Sequence, residues 1–542
     1  MTVGTPKAAR DGRRNRVPDG LKRPHGLLSR LRLEEEPMRA EFLSLEQLHR
    51  HGQSLAIWHR LAAKQRRDRL LARLNENERV LEETRLLLAR SAAEGHAIPP
   101  AGDWLLDNYY LIQSQIRLAR QHLPRRYSME LPQLAGGPSD GLPRVYDIAL
   151  ELISHVDGLV DAKNVERFVS AYQGVQHLRL GELWAIPIML RLALIENLRR
   201  VALRVAWQHN DRRLGEQWAS RVAEAAGESF GRLIHAVAEL VDHEPPITSG
   251  FVSRFTQSLQ GRLPTGNVVT AWLEQHLSRQ GQTVERLINA DSQAMAADQV
   301  SMGNSITSLR VLESLDWKEF VERQSVVERA LRQDPAGVYP AMSFSSRDRY
   351  RHVVERIARR SPLTEEQVAR LAVEQARAAA AEAAGPAERG AYGTDGRRSH
   401  VGYYLVDKGR ERVEQGAGYR PTPGDRVARA AERFPLACYL GAAGVVLSVL
   451  LAAFVGAAQA TGAAQALGVV GLAGLTALLA VAGSQAAVSL VNWAVTLLVK
   501  PRPVMRLDFT EGIDREFRTL VVVPTMLTGP KAVRSLIDQL EV

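Results

Sequence analysis

The sequence predicts a mainly α-helical membrane protein: a large helical domain, then a transmembrane helical hairpin, then the start of an α/β domain. Three observations predict it. From about Met38 to Ala384 apolar residues recur at helical spacing, with few β-branched alternations that would make strands. Two uncharged runs, Phe434–Ala458 and Ala466–Gly483, are long enough to cross a bilayer and are joined by the short connector QATGAAQ. A β-branched run, Thr519–Val523, then leads through a turn at 524–530 into a helical pattern at Lys531–Leu540, which is the first half of a βαβ unit.

Five segments follow from this reading. Residues 1–36 are basic and rich in Pro and Gly, with Arg13, Arg14, Arg16, Lys22 and Arg23. They lack an apolar run of the signal-peptide kind and read as a disordered tail. Residues 37–386 form the all-α domain. In RLLARLNENERVLEETRLLLARS, Leu70, Leu74, Val80, Leu81, Leu86 and Leu87 line one face. WLLDNYYLIQSQIRLARQHLP repeats the pattern and stops before Pro124, and LPQLAGGPSDGLPR connects to helices at Val145–Val156 and Asp161–Tyr172. Thr364 and Gln367 make a capping box for a helix that ends at Gly385-Pro386.

The most apolar stretch of that domain, LGELWAIPIMLRLALIENLRR at Leu180–Arg200, raises the question of a membrane span. Its apolar run from Leu183 to Ile195 is 13 residues, against the ~20 needed to cross ~30 Å of hydrocarbon. It contains Pro187 and Arg191 and is bounded by Glu182 and Glu196. A charge at the centre of a span costs at least ~2.5 kcal/mol, so the stretch is predicted to be a buried core helix.

Residues 387–433 read as linker and juxtamembrane segment, 434–499 as the hairpin with an interfacial helix, and 500–542 as the α/β start. Ser484–Pro503 fits either an interfacial helix or a slanted extension of the second span. Arg426, Arg429 and Arg433 precede the hairpin and Lys500, Arg502 and Arg506 follow it, while the loop between carries no charge. The positive-inside rule then places both flanks, and the N-terminus, in the cytoplasm.

The net charge of +10 is almost wholly arginine, there being eight lysines, and accompanies an Ala-rich composition. It is read as compositional, and no nucleic-acid partner is expected. A single cysteine, Cys438, excludes intrachain disulfides and Cys-based zinc sites. HExxH, P-loop, G-x-S-x-G, Rossmann and D-x-D motifs are absent, so no catalytic or metal-ligating residue is assigned. His49 and His51, on a polar basic stretch, read as solvated surface rather than a metal site. Asp107 and Asn108, beside Tyr109 and Tyr110, read as core edge and cap in preference to a pocket. Asn304 and Ser305 read as a helix N-terminus with Ser305 as its cap. The arginines of Ser343–Arg360 read as partners of Asp348 and Glu355 in helix ion pairs.

Several stretches carry a resemblance to a known family. They are GDWLLDNYYLIQSQIR (102–117), LPQLAGGPSDGLPRVY (131–146), LGELWAIPIMLRLALIENLRR (180–200), MGNSITSLR (302–310), ERALRQDPAGVYPAMSFSSRDRYRHVVERIARRS (328–361), HVGYYLVDKGR (400–410), VNWAVTLLVKPRPVMRLDFTEGID (491–514) and TLVVVPTMLT (519–528). In number and order they resemble the N-terminal region of bacterial cyclic β-1,2-glucan synthases, from about residue 37 to the end.

The resemblance implies a large inner-membrane, multi-pass enzyme. It would polymerise glucose from UDP-glucose on itself, close the chain into a ring and export it, with a cytoplasmic GT-A-type transferase domain and a phosphorylase-like trimming domain further along. Residues 500–542 would then open the transferase domain, and Pro524, Thr525 and Thr528, in the loop after its first strand, are the candidate UDP contacts. The carboxylates for a divalent cation and UDP and the Q-x-x-R-W motif of the family lie downstream of the segment in hand. The chain by itself is therefore expected to hold no cofactor and to act as scaffold and membrane anchor. Its expected partners are the lipid bilayer and the downstream transferase and trimming domains, or a separate subunit carrying them. The competing expectation is a non-enzymatic, membrane-anchored helical interaction protein.

Overall fold

The computed structural model describes residues 37–63, 67–124, 127–262, 268–383, 394–499, 504–510, 512–513, 515–519 and 529–540. The predicted tail, 1–36, lies outside them. The chain divides into two compact units, 1–326 and 327–542. Among the described residues regular structure is helical, and β pairing is confined to isolated bridges.

The first unit contains α1 (Leu45–Trp58), α2 (Leu70–Ala93), α3 (Pro100–Asp107), α4 (Tyr109–His122), α5 (Tyr127–Glu130), α6 (Arg144–His155), α7 (Ala162–Gln173), α8 (Leu180–Glu228), α9 (Phe230–Asp242), α10 (Ser249–Leu259), α11 (Val268–Arg279), α12 (Val284–Ser314) and α13 (Trp317–Gln324). Local chemistry sets several starts. Ser44 makes a capping box with Gln47 at α1, and Asp161, Ser229, Thr248, Thr283 and Asp316 cap α7, α9, α10, α12 and α13 with their side chains.

The helix α8 organises this unit. It runs 49 residues, roughly 74 Å at ~1.5 Å per residue, and passes through two hydrophobic cores. Its first half buries Leu183, Ile186, Met189, Leu190 and Leu192–Ile195 against α2, α3, α4, α6, α12 and α13. The predicted core helix is thus found, and Arg191 inside it is satisfied by Gln115, whose Oε1 accepts from its Nε at 2.7 Å. The second half contributes Trp218, Ala219 and Val222 to a smaller core with α9, α10 and α11. The close approach of α10 requires Gly215, since a Cβ there would stand 2.6 Å from the Phe251 carbonyl oxygen. On α2, Leu70, Leu74, Val80 and Leu81 are buried as expected, but Leu88 takes the place given to Leu86, which is exposed.

The second unit contains α14 (Val326–Leu331), α15 (Phe344–Ala358), α16 (Glu365–Ala383), α17 (Thr394–Arg398), α18 (Val401–Val406), α19 (Arg410–Gly416), α20 (Pro423–Arg433), α21 (Pro435–Ala460), α22 (Ala463–Leu498) and α23 (Pro530–Leu540). Thr364 and Gln367 exchange both capping-box hydrogen bonds before α16. Within 387–433, α17, α18 and α19 pack on α16, burying Val401, Tyr404, Leu405 and Val413. The two long apolar helices, α21 and α22, pack against each other and have the length and composition to cross a membrane.

Ser484–Leu498 continues α22 as one helix. α22 breaks at Gly468, whose φ of 64° and ψ of 175° are not helical, and towards its far end Asn492 Oδ1 accepts from Tyr439 Oη on α21 at 2.8 Å. Beyond the hairpin, Leu507 forms an antiparallel bridge with Met342. Ser343 N–H donates to the Arg506 carbonyl at 2.8 Å, Asp508 N–H to the Ala341 carbonyl at 2.9 Å, and Arg506 N–H to Ser346 Oγ at 2.9 Å. The helix expected at 531–540 is present as α23. Of the strand expected at Thr519–Val523 only Thr519 is described, outside regular structure, so the α/β start is not seen.

Candidate functional site

A group of polar side chains lines a cleft in the first unit, where α3, α4 and α12 meet. Asp103, Trp104 and Asp107 lie on or beside one face of α3 by their near-helical spacing, and Asn108 joins α3 to α4. With Pro100, and with Gln299 and Arg310 from α12, they line an open cleft of about 410 Å³. Arg310 donates to Asn108 Oδ1 at 2.6 Å, and Asn108 Nδ2 donates back to the Trp104 carbonyl at 3.0 Å. The indole passes over Gly303, its atoms 3.8–3.9 Å from where a Cβ would stand, an ordinary contact distance.

Partial burial, and then neighbouring Asp107, raise the Asp103 carboxyl above its ordinary range. An aromatic platform beside carboxylates, amides and a guanidinium can stack on and hydrogen-bond a neutral, hydroxyl-rich ligand. Asp107 and Asn108 thus do line a cleft, which the sequence reading had ranked below an edge-and-cap role. The tyrosines beside them do not line it: Tyr109 lies under the Arg85 guanidinium, 5.0 Å from the ring centroid, and Tyr110 is exposed.

A second constellation joins α1 to α6. His51 Nε2 stands 3.0 Å from Glu151 Oε2, and His155 Nε2 stands 3.6 Å from the same oxygen. All three ligand atoms lie within 4.8 Å of one another, a spacing able to hold a metal ion. His155 and His51 hold the Glu151 carboxyl down at about 2, and Glu151 raises His155. His51 is therefore not solvated surface: its side chain is about 21% exposed and meets Glu151, and Gly52 beside it seats α1 directly on Phe168 and Ala171 of α7. Glu151 and His155 escaped the sequence reading. Their i, i+4 spacing in ELISH was the available signal, but the third ligand is 100 residues away.

Other predicted positions are structural. Asn304 and Ser305 do not begin a helix but lie well inside α12, which Thr283 caps. Asn304 Nδ2 donates to the Asp157 carbonyl at 3.1 Å, and the buried Ser305 Oγ accepts from Asn197 at 3.0 Å. The capping role is overturned because the helix runs unbroken from Val284 through Gly303, and Ser305 faces Asn197 on α8. On α15, Arg351 pairs with Asp348 at 3.1 Å and Arg359 with Glu355 at 2.8 Å, as expected. Arg351 also reaches the buried Glu328 at 2.7 Å, which in turn accepts from Tyr339 Oη at 2.6 Å.

Buried charge is satisfied in the first unit as well. Arg144 holds Glu182 in a two-point pair, 2.6 and 2.7 Å. Glu196 accepts from Arg73 and Arg199 at 3.0 Å and from Arg200 at 3.1 Å; burial pushes its carboxyl up, and the three guanidinium groups outweigh this and hold it at about 2. The candidate UDP contacts Pro524, Thr525 and Thr528 lie outside the described residues.

No family model matches this chain. It is, however, 30% identical over 471 residues to the cyclic beta-(1,2)-glucan synthase NdvB of Rhizobium meliloti (strain 1021). The match covers 87% of this chain and 16% of that protein, so the chain spans about one sixth of the length of its relative. Over most of its length, then, this chain is similar to part of a cyclic β-1,2-glucan synthase.

Proposed function

We propose that the chain is the N-terminal scaffold and membrane anchor of a cyclic β-1,2-glucan synthase that polymerises glucose from UDP-glucose. The 471-residue likeness to a synthase of that name carries this reading. In it, the helical region 37–386 is cytoplasmic, α21 and α22 enter the inner membrane of a bacterial cell as the first spans of a multi-pass protein, and residues 500–542 open a GT-A-like transferase domain. Pro524, Thr525 and Thr528 then approach UDP, while the divalent cation is held by residues of the remaining protein.

Charge and pairing support this topology. Arg426, Arg429 and Arg433 before the hairpin and Lys500, Arg502 and Arg506 after it mark one face of the bilayer as cytoplasmic. The bridge between Met342 and Leu507 supports placing the segments before and after the hairpin on the same side of the bilayer. A chain that crosses twice returns to the side it left, and only then can residues 506–508 pair with 341–343.

The test is incorporation of labelled glucose. Membranes containing the complete gene product should transfer glucose from UDP-glucose into protein-bound material, and deletion of the codons for 37–386 should abolish the transfer. Absence of incorporation, with a stable protein partner captured from detergent extracts, would favour a non-enzymatic interaction protein instead.

A further inference from the structure

We propose that His51, Glu151 and His155 form a zinc-binding site in the first unit, with a fourth coordination position open to solvent. This goes beyond the glucan synthase reading and does not rest on it.

The ligand set and spacing come first. Two imidazoles and a carboxylate are a donor set zinc accepts, and three protein ligands leave one position free in a tetrahedral site. Two ligands at ~2.0–2.1 Å in a tetrahedral array stand roughly 3.3 Å apart, and the observed separations from Glu151 Oε2, 3.0 and 3.6 Å, lie on either side of that value. Small side-chain movements would therefore admit the ion without moving a helix.

The surroundings prepare the ligands. His155 Nδ1 donates to the Glu41 carbonyl at 2.8 Å, which fixes the tautomer and leaves the Nε2 lone pair free to face Glu151. That carbonyl is itself held in place, because Ala40 N–H donates to Ser154 and Leu43 N–H to His155 through backbone hydrogen bonds of 3.0 and 3.1 Å. His51 stacks on the buried Phe168 ring at 6.0 Å and meets His155 edge-on at 4.4 Å. Among the described residues the ion-pair partners of Glu151 are these two imidazoles, with no arginine or lysine between them to repel a cation. The open side is provided by Glu151, about a third exposed.

The experiment uses the full chain in detergent micelles, stripped with a chelator and then titrated with zinc. One zinc should bind per chain and raise the melting temperature. His51→Gln and Glu151→Gln should each weaken binding by at least about tenfold, while His235→Gln, at an exposed histidine on α9, should leave it unchanged. Cobalt(II) should give a visible tetrahedral ligand-field spectrum that His51→Gln abolishes. Because the His155 ring also holds the Glu41 carbonyl, His155→Gln is judged only alongside the other two. Absent zinc binding, or equal binding by His51→Gln and His235→Gln, would overturn the proposal and leave the cluster as an ion-pair network.

Discussion

Replacing Arg144 by leucine isolates what a buried ion pair contributes to this helical core. In the native structure its guanidinium donates to both Glu182 oxygens, at 2.6 and 2.7 Å, to the His177 carbonyl at 2.8 Å and to Gln176 at 3.2 Å. Glu182 is fully buried. With leucine at 144 the carboxylate keeps the Arg179 N–H, 2.9 Å away, but loses its guanidinium partner. Removing one partner of such a pair costs about 3–5 kcal/mol. At ~2.1 cal/mol/K per residue over roughly 280 ordered residues, 4 kcal/mol lowers the melting temperature by about 7 °C.

The double variant, Arg144→Leu with Glu182→Leu, removes the orphaned charge, so it should recover half or more of that loss. Differential scanning fluorimetry of the three variants and the parent in one detergent measures the cycle. Additive losses, with the double variant less stable than either single one, would refute the reasoning: the pair would then contribute through separate contacts, not through mutual compensation of buried charge.

Other outcomes follow from the same structure. Leu190→Asp places a charge without a partner in the main core, where Leu190 is about 1% exposed, and should prevent recovery of folded protein; a soluble variant with an unchanged melting temperature would contradict the burial. Burial, and then Arg213, depress the His209 pKa to about 4. Protonation is then disfavoured in the folded state, so stability should fall as pH drops from about 6.5 to 4, by about 3 kcal/mol in all. His209→Gln should flatten that part of the curve relative to the parent in pH-resolved urea titrations. The Glu196 carboxylate, held at about 2, contributes stability that is present above pH ~4.5 and lost as pH falls from there toward 2. For topology, Cys438→Ser removes the native thiol; Thr461→Cys in that background should react with an impermeant maleimide on intact spheroplasts and Glu411→Cys only after lysis. The reverse pattern would invert the assigned orientation.

Much of this was legible in the amino-acid order. The core helix at Leu180–Arg200 followed from run length and charge, because a 13-residue apolar run bearing an arginine is too short and too costly for hydrocarbon. The hairpin followed from two uncharged runs, and the cap at Thr364 from local hydrogen-bonding chemistry. These depend on neighbours within a few residues, and so are written locally.

What only the tertiary structure decided depends on residues far apart in sequence. Gly52 seats α1 on α7, and that contact brings His51 to Glu151 and His155, 100 residues further on. Arg310 reaches Asn108 across 202 residues to frame the cleft, and Ser305 is a buried acceptor within α12 rather than its cap because Asn197 on α8 faces it. The sequence by itself determined that the chain is helical, which two runs are long and apolar enough to cross a membrane and which family it resembles, because hydropathy and periodicity act locally. Which polar groups converge was decided by packing, because burial leaves each of them only the partners that the facing helices supply.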